Sequence, residues 1–351
     1  MQRLATQGLS LDFDPECGII DNVAIEADGK TLRPLHRAPW VVGGETLGDE
    51  VAPVERKLAG DFFCAPFARA EGDAPIHGWS ANGSWEPAGS EAAGDGAVTT
   101  RYRLRQSIQG AALEKRITLV PGHPVIYQSH VFEGGTGRLP VAHHAMVHVP
   151  GGARLSFSSK ELGRTTLQPL ETDPARGRSI LAYPQEFASL AKVQRADGGN
   201  VDARNYPFDR GHEDLIVLSE QPGNRLGWSA ALAARDGFLF FAVKDAVLLP
   251  QTVLWMSNGG RSYAPWNGRH TAVLGLEEGA VGIHLKDGEK PGTPVDLELG
   301  ARTEIRSAFG AIPVPAGWTE VADIRVADHA LTLMDAAGGE REVAFRGAHF
   351  G

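Results

Sequence analysis

Residues 99–132 read TTRYRLRQSIQGAALEKRITLVPGHPVIYQSHVF, and this stretch decides the fold class. Apolar and polar side chains alternate along Arg101 to Ser107 and again along Leu113 to Val120. A period of two sends neighbouring residues to opposite faces, the signature of half-buried antiparallel strands. Gln109-Gly110 between the two runs predicts a tight hairpin, and Val125 to Phe132 continues as the next strand of a meander. The same punctuation recurs along the chain, where 43 Gly and 22 Pro separate runs such as 214–220 (DLIVLSE), 238–244 (FLFFAVK) and 323–335 (DIRVADHALTLMD). No stretch carries the apolar period of a helix longer than about two turns. Residues 86–96 and 171–178 are rich in loop formers but bring no shift in composition, and no internal repeat is visible. The expectation is an all-β protein: one domain over residues 1–351, built as a large two-layer sandwich.

The 351 residues include 34 basic and 43 acidic side chains, a net charge of −9, and no cluster of five basic residues occurs. Nucleic acid and anionic membrane are therefore poor partners. The opening MQRLATQGLSLDFDPE lacks the apolar core of an export signal, and no later segment is apolar for long enough to span a bilayer. A soluble, cytoplasmic protein is expected, and monomer and homodimer stay equally open. Cys17 and Cys64 are the two cysteines, expected to be reduced and structural.

Chemistry-bearing residues gather in a few segments. Residues 254–279 (LWMSNGGRSYAPWNGRHTAVLGLEEG) place Trp255, Trp266, Tyr263, Asn258, Asn267 and Arg261 ahead of an apolar strand that ends in Glu277. Indole faces suit the C–H face of a pyranose, and planar amide and guanidinium groups suit its hydroxyl rim, so this composition predicts a sugar pocket. Residues 60–85 add Arg69, His77, Trp79, Asn82 and Trp85. Glu277 and Glu278 are adjacent on one strand and face opposite ways, so they are not the paired carboxylates of a glycosidase.

A partner for Glu277 must come from elsewhere, and residues 139–152 (LPVAHHAMVHVPGG) are the best source. Pro140, Pro150 and the β-branched valines argue for a strand. On a strand His144 and His148 share a face about 13 Å apart and His143 points away, so no single metal ion is held by two of them. Residues 205–218 (NYPFDRGHEDLIVL) carry His212, Glu213 and Asp214, with either carboxylate a candidate for reading hydroxyls.

Taken in order, these features resemble the aldose 1-epimerase (galactose mutarotase) family and its looser relatives. Arg69 follows a Pro/Phe-rich stretch, His77-Gly78 comes next, and His144 precedes the Pro150 turn. An acidic residue then stands ahead of an apolar strand (Glu213-Asp214-Leu215-Ile216-Val217-Leu218), and Gly275-Leu276-Glu277 closes the series. The resemblance implies a galactose-mutarotase-like β-supersandwich, mainly antiparallel, with an open cleft on one face. It implies that Glu277 takes the proton of the anomeric hydroxyl while His144 protonates the ring oxygen, with no cofactor or metal. Arg69, His77, Asn82, Asp214, Trp255, Arg261 and Trp266 would bind the sugar. The carboxylate is then expected to stay ionised and the imidazole to be held protonated by the negative charge beside it. Two departures mark a divergent branch: His143-His144-Ala145-Met146-Val147 replaces the usual Asn-His-x-Tyr-Phe surroundings, leaving His143 as an alternative acid, and Trp79-Ser80-Ala81-Asn82 follows His77-Gly78. A carbohydrate-binding protein without catalysis, or a lyase or hydrolase on the same sandwich, are the other functions compatible with these residues.

Overall fold

The Gln109-Gly110 turn forms as the spacing predicts. Both residues have positive φ (47° and 80°), and Ile108 and Ala111 exchange backbone hydrogen bonds of 2.9 and 2.8 Å across them. Such a two-residue turn twists in the sense of the strands it joins. The strands it connects are Val98–Leu104 and Ala111–Leu119, and Val125–Gly134 follows in the meander. The first strand stops at Leu104, earlier than its alternation suggests. This computed structural model describes residues 1–70, 72–285 and 293–351.

Two large sheets organise the molecule, and every pairing between their described strands is antiparallel. The meander belongs to a nine-stranded sheet that continues through Arg302–Pro313, Phe238–Asp245, Leu226–Ala233 and Ala153–Phe157. Facing it is an eight-stranded sheet in which Lys160–Thr165, His212–Glu220, Gln251–Asn258 and Val273–Ala280 are neighbours, with Val141–His143 and Ala145–His148 beyond. The main core lies between them: Ile126, Phe132, Phe240 and Phe309 from one side meet Ile216, Leu254, Met256, Leu274 and Leu276 from the other. Among the described residues helices are confined to single turns, Pro39–Val42, Pro53–Arg56 and Gly78–Asn82, and a 3-10 turn at Gly347–Phe350.

Central strands are buried on both faces, which is why 238–244 reads as a continuous apolar run rather than an alternating one. The outer face of the nine-stranded sheet is covered in part by a C-terminal sheet, Val321–Val326, Ala330–Asp335 and Glu340–Ala344, through Trp318, Ile324, Leu331 and Leu333. The outer face of the eight-stranded sheet is covered by loops and short helices bearing Trp40, Val54, Leu58, Phe62, Phe67 and Trp266. No described helix is long and apolar enough to cross a membrane.

Candidate active site

Alternation along Val273–Ala280 sends Leu274, Leu276 and Glu278 between the sheets and Val273, Gly275 and Glu277 to the loop-covered face. On the neighbouring strand, Val141 and Ala142 pair with Ala280 and Gly279, and Ala145 to His148 pair in the same register with Leu276 to Val273. The two pairs absent from this ladder are His143 with Glu278 and His144 with Glu277. At that gap the His144 backbone N–H turns to the Phe62 carbonyl at 2.8 Å on the opposite side. His144 and Glu277 are thus cross-strand neighbours facing one way, with Nε2 3.1 Å from Oε1. Their approach is off the hydrogen-bonding axis, because Oε1 has no hydrogen-bond partner among the described residues. Gly275 makes room for the carboxylate: a Cβ there would stand 2.5 Å from Oε1.

Of the two histidines, His144 is the one brought to Glu277. His143 turns between the sheets, where its Nε2 lies 2.9 Å from Ser307 Oγ. The His144 ring stacks on Phe62 at 4.4 Å between centroids and meets His77 and Trp255 edge-on at 5.2 and 5.4 Å. His77 reaches this position through a left-handed backbone shared with Gly78 (φ 70° and 71°), and a Cβ at 78 would sit 2.0 Å from the Ala65 carbonyl oxygen. The glycine of the His-Gly pair is therefore a requirement of close approach. His77 Nδ1 contacts Cys64 Sγ at 3.2 Å. Both cysteines are free and buried.

A second polar group lies on the same face. Glu213 accepts from Trp255 Nε1 at 2.5 Å and from Ser257 Oγ at 3.0 Å, and Arg261 Nε is 3.5 Å away. The Arg261 guanidinium lies over Trp266, 4.4 Å from the ring centroid, a cation–π arrangement that ties the loop to the aromatic wall. His270 is stacked between Trp40 and Trp255, and its Nδ1 is 2.7 Å from Ser257 Oγ. The floor is nearly sealed: Glu277 is 1% exposed, His144 5%, Trp255 5% and Trp266 4%. The face expected to present an open cleft is roofed by its own loops here, because the aromatic side chains pack on one another.

Burial also sets the protonation of the pair. Nothing charged offsets the loss of solvent at Glu277, so its carboxyl is pushed well above the usual range. Burial holds His144 well below an ordinary histidine, and a charge on His77 would lower it further. This runs against the expected ionised carboxylate and charged imidazole: burial favours a protonated Glu277 carboxyl beside a neutral His144. His77 is lowered to about 4, by burial and then by Arg261. Glu213 is raised by burial, against the opposing pull of Arg261, Trp255 and Ser257.

Two expected sugar-binding residues are committed elsewhere. Asn82 accepts from the Val54 N–H at 3.0 Å and donates to the Ile76 and Gly78 carbonyls at 2.8 Å each, so its amide clamps two short helices together. Asp214 faces away from the site and accepts from Ile180 and Leu181 N–H, Tyr183 Oη and His212 Nδ1. Neighbours on a strand point opposite ways, so Glu213 is the acidic residue at the site and Asp214 is structural. Arg69 is half-buried, and its carbonyl accepts from the His77 N–H at 3.2 Å. Trp40, Phe62, Ser257 and His270 complete the wall. His270 and Phe62 lie within segments that drew attention by composition, but Trp40 sits in ordinary apolar surroundings and gave no signal. Among the described residues no three His, Cys, Asp or Glu side chains converge with metal-binding geometry.

No protein-family model and no curated protein matches this chain. Its fold does match solved structures. A protein from Escherichia coli K12 assigned as an aldose 1-epimerase aligns over 89% of this chain and 98% of its own, with 14% identity and a TM-score of 0.58. A galactose mutarotase related enzyme from Lactobacillus acidophilus aligns over 90% and 98%, at 9% identity and a TM-score of 0.54. Another protein assigned as an aldose 1-epimerase, from Klebsiella pneumoniae, aligns over 87% and 77%, at 13% identity and 0.55. At such identities the likeness is one of fold: this chain has the galactose-mutarotase-like β-sandwich, in a divergent form.

Proposed function

We propose that this protein is a carbohydrate mutarotase, interconverting the anomers of a hexose or modified hexose by acid–base ring opening and closure. The observation that carries the reading is the contact of His144 Nε2 with Glu277 Oε1 at 3.1 Å, at the gap in the strand ladder and beneath an aromatic wall. Mutarotation requires a proton to leave the anomeric hydroxyl as another arrives on the ring oxygen. These two oxygens share one carbon, so the groups serving them must stand close together. Glu277 takes the hydroxyl proton and His144 delivers one to the ring oxygen. The ring opens, the C1–C2 bond turns, and closure returns both protons. One proton between the two groups suffices, because a sugar hydroxyl donating to Glu277 favours an ionised carboxylate and a charged imidazole at the same proton count. General acid–base assistance by each group is worth roughly 10²–10⁴-fold.

Access requires the Arg261–Trp266 roof to lift, after which Trp255 and Trp266 offer faces to the pyranose and Glu213, Arg261, Arg69 and His77 its polar contacts. A hydrolase would need a second carboxylate opposed to Glu277, and Glu213 is engaged with Trp255 and Ser257. The test is anomer exchange followed by NMR over a panel of aldoses. Exchange is expected in the parent, with Glu277→Gln and His144→Asn each lowering kcat by about 10²-fold or more. Unchanged exchange in both variants rejects the mechanism. No exchange by the parent on any sugar, with binding retained, makes the protein a carbohydrate binder.

A further inference from the structure

Directly behind His144, between the sheets, Asp61 is fully buried at 0% exposure. Its backbone pairs with Ile20 on one side, through bonds of 2.8 and 3.0 Å. Its carboxylate reaches the other way: Oδ1 accepts from the His144 backbone N–H at 3.1 Å and Oδ2 from Gln128 Nε2 at 2.7 Å. Gln128 is also buried, and so is Lys115, whose Nζ donates to the Gly18 carbonyl at 3.0 Å and whose charge acts on Asp61. A carboxylate in a sheet interior is costly unless fully hydrogen-bonded and balanced. On one side this carboxylate balances Lys115 and Gln128, and on the other it stands against the His144 backbone N–H at the ladder gap.

We infer that Asp61 is a positioning residue for His144. Its Oδ1, together with the Phe62 carbonyl, pins the His144 N–H on the side away from Val273–Ala280, the side to which the Met146 and His148 N–H groups also point. The imidazole is thereby held over Phe62 with Nε2 toward Glu277. The inference deepens the proposed function and rests on it for its kinetic consequence. Its structural consequence, the placement of the His144 ring, is independent.

The experiment combines kinetics of anomer exchange with the ring NMR signals of His144 in protein labelled with ¹⁵N-histidine, assigned by their loss in His144→Asn. Asp61→Ala is expected to shift those signals and to lower kcat between about tenfold and 10²-fold with KM little changed, as a misplaced catalytic group does. Asp61→Asn keeps an oxygen for the His144 N–H, and its amide can face a flipped Gln128. It is expected to stay within about threefold of the parent. Gln128→Leu, which releases the other carboxylate oxygen without touching Asp61, is expected to move the same signals part of the way and covers the case in which Asp61→Ala does not fold. Signals unmoved in Gln128→Leu, or in a folded Asp61→Ala, overturn the inference, as does Asp61→Asn falling as far as Asp61→Ala. A parent that exchanges no sugar defeats the proposed function alone, because the His144 signals still report whether Asp61 holds the ring.

Discussion

At Glu277 and His144 burial moves two titrations in opposite directions. Unfolded, the two groups titrate near their ordinary values of 4.5 and 6.5. Folded, burial raises the first and lowers the second. Above 4.5 the unfolded carboxyl loses its proton while the folded one keeps it, so this group makes stability fall as pH rises, by up to about 1.4 kcal/mol per unit, until Glu277 ionises. Below 6.5 the unfolded imidazole gains a proton that the folded one refuses, so the histidine makes stability fall as pH drops. Where both act, the two slopes oppose each other. Glu277→Gln should therefore remove the carboxyl's loss on the alkaline side and leave the histidine's acid loss, with its onset near 6.5, unopposed. Urea denaturation of parent and variant from about pH 4 to about pH 9 checks this, and parallel profiles would show that burial does not raise the Glu277 carboxyl.

The strand Val273–Ala280 shows what alternation does for an element. Glu278, one residue beyond Glu277, enters the inter-sheet space and meets Lys244 of the opposite sheet at 2.6 Å, with Ser229 and Thr252 hydroxyls at 2.7 Å each. Lys244 also lies 3.2 Å from Glu220, which is paired in turn with Lys160. This buried network joins the sheets at one edge. Lys244→Met leaves two interior carboxylates short of a partner and is expected to cost about 3–5 kcal/mol in chemical denaturation. Adding Glu278→Leu should recover part of that loss, and a double variant no better than the single would show that the pair does not act as a unit. The opposite facing of Glu277 and Glu278 was legible in the sequence, since it needs only the period of a strand. That Lys244 would meet Glu278 was not, because nothing in residues 238–244 marks which face of the run turns inward.

On the scale of the molecule, the C-terminal sheet is a third layer that the two-layer expectation did not include. Residues 323–335 alternate visibly, but a strand does not announce which surface it will cover. Leu333, fully buried on Ala330–Asp335, packs against the outer face of the nine-stranded sheet, on the far side of the sandwich from His144. Leu333→Ala is expected to cost about 2–5 kcal/mol by the cavity it opens while leaving the His144 ring signals in place. Denaturation and NMR on one sample separate the two effects, and displaced His144 signals would show that this layer also supports the site.

What the sequence determined by itself was the strand content, the hairpin at Gln109-Gly110, the two faces of residues 277 and 278, and the segments in which polar and aromatic chemistry gathers. Each follows from interactions within a few residues: backbone sterics, the two-residue period and turn chemistry. Only the tertiary structure decided that His144 rather than His143 stands across from Glu277, that Glu213 faces the site while Asp214 and Asn82 are spent mainly on backbone groups, and that burial raises the Glu277 carboxyl and lowers His144. Those outcomes depend on ladder register and on partners distant along the chain. A shift of one residue exchanges every face, and local composition carries no record of where another strand will stop.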